Sequence, residues 1–216
     1  MLTRDARPGL AGPRLLRRVL DADLVASVAA RVRQVAQAHG WIGPDGLASA
    51  HMHGRRFDPD DPDLVAFQAE VLASAEVAAL RASKSLHRAV ACLHGQSLSP
   101  VGADVCRITF PGEAGGTPAH QDAWYSKVPR LCIAWIPLVA CSRNLGALEV
   151  AAHEMSLAEH DADGLVGATA ITWRSAPCGP GDVLLFSGLT PHRSLPNRSA
   201  GRVRLSFDMR FGETAA

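Results

Sequence analysis

The sequence predicts a mainly β fold, a barrel or sandwich of short strands with N-terminal helices packed on one sheet. Three observations predict it. Through the first half, apolar residues recur at helical spacing. From Asp104 the period shortens, and brief apolar runs are separated by Gly- and Pro-marked turns. The last run, residues 202–211, alternates strictly between apolar and polar side chains. A chain of 216 residues normally makes one domain. One domain over residues 1–216 is expected, with 1–102 as mainly helical support and 103–211 as the β core.

Residues 21–39 read as an amphipathic helix, with Leu24, Val25, Val28, Val32 and Val35 on one stripe and Gly40 past its end. Residues 41–61 are loop-like, rich in Gly, Pro and Asp. They contain His51 and His53, read as solvent-exposed rather than metal-binding. Asp61-Pro62 is a cap followed by proline at the first helical position, so a helix is expected to about Leu80. A further helix is expected over 83–93, with Gly95 as its stop. Strands follow at 105–110, 131–138, 146–151, 168–173, 183–186 and 203–211.

His120-Gln121-Asp122 is the most informative stretch. In a strand, alternate side chains share a face, so His120 and Asp122 point the same way and Gln121 points the other. A second histidine would complete a 2-His-1-carboxylate triad, which holds Fe(II) on one side and leaves the other positions open. His192 is the best candidate, because it follows the short apolar run Val183-Leu184-Leu185-Phe186. A lone HxD is weak in a chain with 9 histidines; the surrounding context strengthens it. In residues 202–211, Val203, Leu205, Phe207, Met209 and Phe211 share one face, and Arg202, Arg204, Ser206, Asp208 and Arg210 share the other. Such a charged face fits either a solvated edge strand or a strand lining a site that binds a carboxylate.

His120-Gln121-Asp122, Ala134-Trp135, Ser142-Arg143-Asn144-Leu145-Gly146, Gly181-Asp182, His192-x-Ser194 and Arg204-x-Ser206 occur in that order. Over residues 103–211 the chain thereby resembles the phytanoyl-CoA dioxygenase-like family of Fe(II)/2-oxoglutarate-dependent oxygenases. The resemblance implies a double-stranded β-helix, a jelly-roll, cupin-like core. It implies Fe(II), 2-oxoglutarate and O2 as requirements, and a hydroxylase, a dioxygenase acting on an unactivated C–H of a small molecule, as the activity. It puts His120, Asp122 and His192 on the metal. It puts Arg204 on the far carboxylate of 2-oxoglutarate, with Ser194 and Ser206 as supporting hydroxyls and Trp135 as an aromatic near the co-substrate. Related halogenases replace the carboxylate ligand by a small residue; Asp122 therefore implies oxygen insertion. Two departures stand out. Ala151-Ala152-His153 replaces a Gly-Ser/Thr-His turn, and Arg204 lies 12 residues after His192, so Arg202 remains a competitor.

Composition excludes little. The net charge is +1 with no single-sign block, which argues against nucleic acid as the main partner. The five cysteines lack any CxxC and read as reduced and mostly buried, as in a cytoplasmic protein. Residues 1–8 lack the apolar core of a signal peptide, and no run is long enough to span a membrane. His153 is read as packing beside the site, His160 as exposed, and Asp182 as a turn residue. Trp124 and Tyr125 either line the substrate pocket or fill core. Asn197 matches N-x-S, which matters only in a secreted protein. The alternatives are a 2-oxoglutarate-independent cupin-type metal enzyme, which has no need of Arg204, and a non-catalytic jelly roll.

Overall fold

The structure, a computed structural model, describes residues 12–95, 97–102, 104–112 and 116–213. Residues 1–8, considered above for a signal peptide, lie outside that set. Strand β1 (Arg14–Leu16) comes first, then α1 (Ala22–Ala38), whose N-cap Asp21 accepts from the backbone N–H of Asp23 and Leu24 at 3.0 Å. Helices α2 (Pro62–Leu72), α3 (Ala75–Arg81) and α4 (Lys84–His94) follow, with Gly95 left-handed at the end of α4.

The single helix expected from Pro62 to Leu80 is two. Ser74 breaks it: the hydroxyl donates to Val71 O at 2.7 Å and accepts from Val77 N, so it caps α3 instead of continuing α2. The 168–173 strand is also largely absent. Ala168–Ala170 is a single 3-10 turn after left-handed Gly167, because small, mostly exposed side chains give a strand nothing to bury.

The remaining strands are β2 (Ser99–Pro100), β3 (Val105–Thr109), β4 (Cys132–Pro137), β5 (Leu148–Ala151), β6 (His160–Asp161), β7 (Gly164–Leu165), β8 (Trp173–Arg174), β9 (Val183–Ser187), β10 (His192–Ser194) and β11 (Arg204–Gly212). The larger sheet runs β1-β9-β4-β11-β2, with β3 also paired to β11; the smaller runs β10-β5-β8. β6 and β7 form a separate hairpin. Among the described residues all strand pairings are antiparallel, and the two facing sheets form the double-stranded β-helix. The first half does more than support this core, since β1 and β2 are strands of the larger sheet.

The larger sheet is buried on both sides. Cys132, Ala134 and Ile136 of β4 join Leu205, Phe207, Met209 and Phe211 of β11 against the helices, with Val28, Val32, Phe67, Leu80 and Leu86 in the same core. Ile133 and Trp135 point instead between the sheets, with Phe186 and Val150. Two-sided burial explains why β4 reads as a continuous apolar run; β11 alternates because only its helix-facing side is apolar. The polar face of β11 is turned inward, toward the smaller sheet. Among the described residues, no helix is long and apolar enough to cross a membrane.

Candidate metal centre

Two backbone hydrogen bonds, His120 N to His192 O and His192 N to His120 O, both 2.9 Å, lock these residues side by side. Their rings lie 4.1 Å apart. Each Nδ1 faces a backbone carbonyl two residues earlier: Pro118 O at 2.9 Å for His120 and Thr190 O at 3.1 Å for His192. That contact fixes the tautomer with Nδ1 donating and leaves both Nε2 lone pairs aimed at one point.

The stretch around Asp122 is not the strand expected. Asp122 opens a four-residue helix, α5 (Asp122–Tyr125). Gln121 alone is extended, at φ −118° and ψ 124°, and one extended residue suffices to return Asp122 to the side of His120. Asp122 Oδ1 lies 3.4 Å from His120 Nε2 and 3.7 Å from His192 Nε2. The three ligand atoms lie within 4.8 Å of one another, a group able to hold one divalent ion. Asp122 Oδ2 accepts from Arg210 Nε at 3.0 Å. Burial pushes the Asp122 carboxyl up, but the imidazole of His120, then His192 and Arg210, outweigh it and hold it well below the usual carboxylate range. Burial, and secondarily His120, pushes His192 down to about 4, so its imidazole is neutral and able to ligate at neutral pH.

Arg107, Thr117, Trp135, Leu148, Ser194, Arg204 and Asp208 line the same cleft as the two histidines. Arg204 is 2% exposed and donates to Gly146 O at 2.6 Å. Arg202 precedes β11 on the surface, although sequence spacing alone left the two equal. Ser194 Oγ accepts from Thr117 N at 2.8 Å. Ser206, on the same face of β11 as Arg204, is fully buried, and its hydroxyl has no hydrogen-bond partner among the described residues. A buried orphan hydroxyl costs about 1–3 kcal/mol, and an oxygen-rich anion beside Arg204 would relieve it. Asp208 pairs with Arg107 at 2.9 Å and Arg210 with Asp122 at 3.0 Å.

A sequence profile of the phytanoyl-CoA dioxygenase (PhyH) family matches residues 10–205. The chain belongs to the phytanoyl-CoA dioxygenase family. The chain is similar to 1-deoxypentalenic acid 11-beta-hydroxylase of Streptomyces exfoliatus, 32% identical over 127 residues, 47% of this chain and 45% of that protein. The chain thus spans about 45% of the length of that curated relative. Among solved structures, the non-heme alpha ketoglutarate dependent carbocyclase SnoK from nogalamycin biosynthesis superposes with a TM-score of 0.70 at 16% identity, covering 94% of this chain and 80% of that one. EvdO2 from Micromonospora carbonacea var. aurantiaca, complexed with 2-oxoglutarate, superposes at 0.63 with 22% identity, covering 96% and 88%. At these identities the superpositions speak to the fold, which is the jelly roll of the phytanoyl-CoA dioxygenase family.

Other sequence-marked residues lie elsewhere or do other work. His51, His53 and His153 are exposed and are not part of the His120 group. His160, expected in solvent, is half-buried: its Nε2 accepts from Gln121 N at 3.0 Å and its ring stacks on Trp124 at 4.8 Å. Asp182 is more than a turn residue, since it accepts from Arg17, the backbone N–H of Arg18 and that of Gly179, tying the strap after β1 to the turn before β9. Asn197 is buried, with its amide bonded to Thr109 O and Arg202 O, so it is a structural bracket. Cys106, Cys132 and Cys141 are buried, Cys178 is half-buried and Cys92 is exposed; burial pushes the Cys132 thiol up to about 12.

Sequence reading missed Gln121 and Arg210. The Gln121 side chain donates to Leu189 O at 2.7 Å and Ser156 O at 3.2 Å and accepts from Ala158 N at 2.9 Å. It therefore ties the loop after β5 to the segment carrying His120 and Asp122. The opposite-face position of Gln121 was the one available signal.

Proposed function

We propose that the protein is an Fe(II)- and 2-oxoglutarate-dependent dioxygenase that hydroxylates an unactivated C–H bond of a small molecule, with secondary metabolism as its setting. The convergence of His120, Asp122 and His192 in one cleft with buried Arg204 carries this reading. The donor set fits the ion: two neutral imidazoles and one carboxylate cancel one of two positive charges and leave room for an anionic co-substrate. Bound together, Fe(II), 2-oxoglutarate and O2 supply the oxidation, in which the substrate gains one oxygen atom and 2-oxoglutarate becomes succinate and CO2.

The chain's own residues hold and orient. Pro118 O and Thr190 O fix the two imidazoles, and Arg210 fixes the Asp122 carboxylate. In this proposal Arg204 pairs with the far carboxylate of 2-oxoglutarate, a charge-assisted contact in a desolvated pocket. Ser194 and Ser206 supply hydroxyls nearby, and Trp135 and Leu148 exclude water. Asp122 keeps the position a halide would need, which favours hydroxylation over halogenation. Both halves of the chain act as one catalytic unit, because the apolar core runs without a break from α1 to β11. Purified protein should bind one Fe(II) and form succinate only when Fe(II), 2-oxoglutarate and O2 are all present. Substrate conversion without succinate would reject the 2-oxoglutarate assignment.

A further inference from the structure

Of the seven large hydrophobic side chains that are exposed among the described residues, five belong to α5 and the segment between β5 and β8: Trp124, Tyr125, Met155, Leu157 and Val166, each 43–68% exposed. The segments that carry them are joined by ring contacts and hydrogen bonds. Tyr125 meets the ring of His120 edge-on at 6.2 Å, and both Tyr125 and Trp124 contact His160. Gln121 holds the carbonyls of Met155 and Ser156, and Val166 N donates to Glu159 O at 3.0 Å. Apolar groups gathered this way mark a binding surface, whereas scattered ones need no explanation.

The space among the side chains at the metal centre is only about 20 Å³, about what one water occupies. Trp135 and Leu148 line both this space and a neighbouring cavity of about 280 Å³. Tyr125 places the rim against the ring of His120, one of the proposed metal ligands.

Charge narrows the occupant further. Residues 144–173 contain no lysine or arginine, while Glu154, Glu159, Asp161 and Asp163 all lie on this loop. Buried Glu149 is already paired with Arg143 and Arg193. Lys127, after α5, is the nearest cation along the chain on that side. A negatively charged substrate would meet a surface of its own sign. Resting on the oxygenase reading, we propose that the substrate is an apolar small molecule without negative charge, held on the rim formed by Trp124, Tyr125, Met155, Leu157 and Val166.

Three probes sharing one apolar body test this: 1-naphthylmethylamine, 1-naphthalenemethanol and 1-naphthoate. Binding is measured by equilibrium dialysis to the full chain, with and without Mn(II) and 2-oxoglutarate. Proton line broadening by Mn(II) reports whether the bound probe lies beside the metal. The amine and alcohol should bind and be broadened, and the naphthoate should bind more weakly. Trp124→Ser/Leu157→Ser should lower amine and alcohol affinity about tenfold or more, as expected for lost ring and apolar contacts, while Mn(II) affinity is unchanged. Preferential binding of the naphthoate, binding without broadening on Mn(II)-loaded protein, or equal affinity in the double variant would each overturn the proposal. So would a dimer in sedimentation that the double variant dissolves, since the rim would then join two copies of the chain. Failure of Mn(II) to bind strikes the metal assignment instead, and dialysis without metal still tests the rim.

Discussion

The two faces of β11 differ in what they bury. Toward the helices, Leu205, Phe207, Met209 and Phe211 enter an apolar core that also holds Val28, Phe67 and Leu80. Toward the smaller sheet, Arg204, Ser206, Asp208 and Arg210 are drawn into the fold with their charges answered by Gly146 O, Arg107 and Asp122. One strand thus carries stability on one side and the site on the other. Buried charge is costly unless paired, so the inner face is organised for binding and the outer face for holding the sheet together.

Substitutions on the two faces should separate these roles. The largest effect is expected at the proposed metal centre. His120→Ala and His192→Ala should each abolish succinate formation while circular dichroism and thermal unfolding show a folded protein; full activity in either would remove that residue from the ligand set. Asp122→Gly should likewise lose the proposed hydroxylation, and the unmodified protein should give no chlorinated product in excess chloride, as checked by mass spectrometry.

Next comes Arg204. Removing one partner of a buried charge pair costs about 3–5 kcal/mol, so Arg204→Ala should raise the 2-oxoglutarate concentration needed for half-maximal rate more than a hundredfold at about 1.4 kcal/mol per decade. Arg202→Ala, on the surface, should change it little. The reverse order would assign the carboxylate to Arg202.

The outer face should answer in stability instead. Phe207→Ala should destabilise by about 3–5 kcal/mol in denaturant unfolding, yet leave the metal stoichiometry of the folded fraction at its original value. A loss of metal binding at full folding would blur the division between faces. The smallest effect is expected at Gln121→Leu, where buried backbone groups lose their amide partner. Stability should fall by about 1–3 kcal/mol, and hydrogen exchange should rise at Ala158 before it rises in β4.

Much of the fold was legible locally. The Val stripe of α1, the Asp61 cap and Pro at the start of α2 and the Gly after α4 are short-range signals, and each appears where the pattern put it. Ser74 was read as helix because its role depends on a hydroxyl choosing a backbone partner, which the apolar period does not report. The short pairs β1, β2, β6, β7 and β10 escaped because strands of two or three residues carry almost no periodicity of their own. In the site, HxD marked His120 and Asp122 for the wrong local reason: an extended Gln121 sufficed, without a strand. His160 and Gln121 were illegible as a pair because they meet across 39 residues.

By itself the sequence determined the helical first half, the β second half and the alternation of β11, because periods of 3.6 and 2 are written into which residues are apolar. It determined the chemistry available too: two histidines, one aspartate and a row of arginines. Only the tertiary structure decided which side of β11 faces inward, that Arg204 is buried while Arg202 stays on the surface, and that His120 lies against His192. The reason is physical. Those outcomes depend on two sheets stacking and on backbone hydrogen bonds between residues 72 positions apart, and no local pattern encodes a contact made at that distance along the chain.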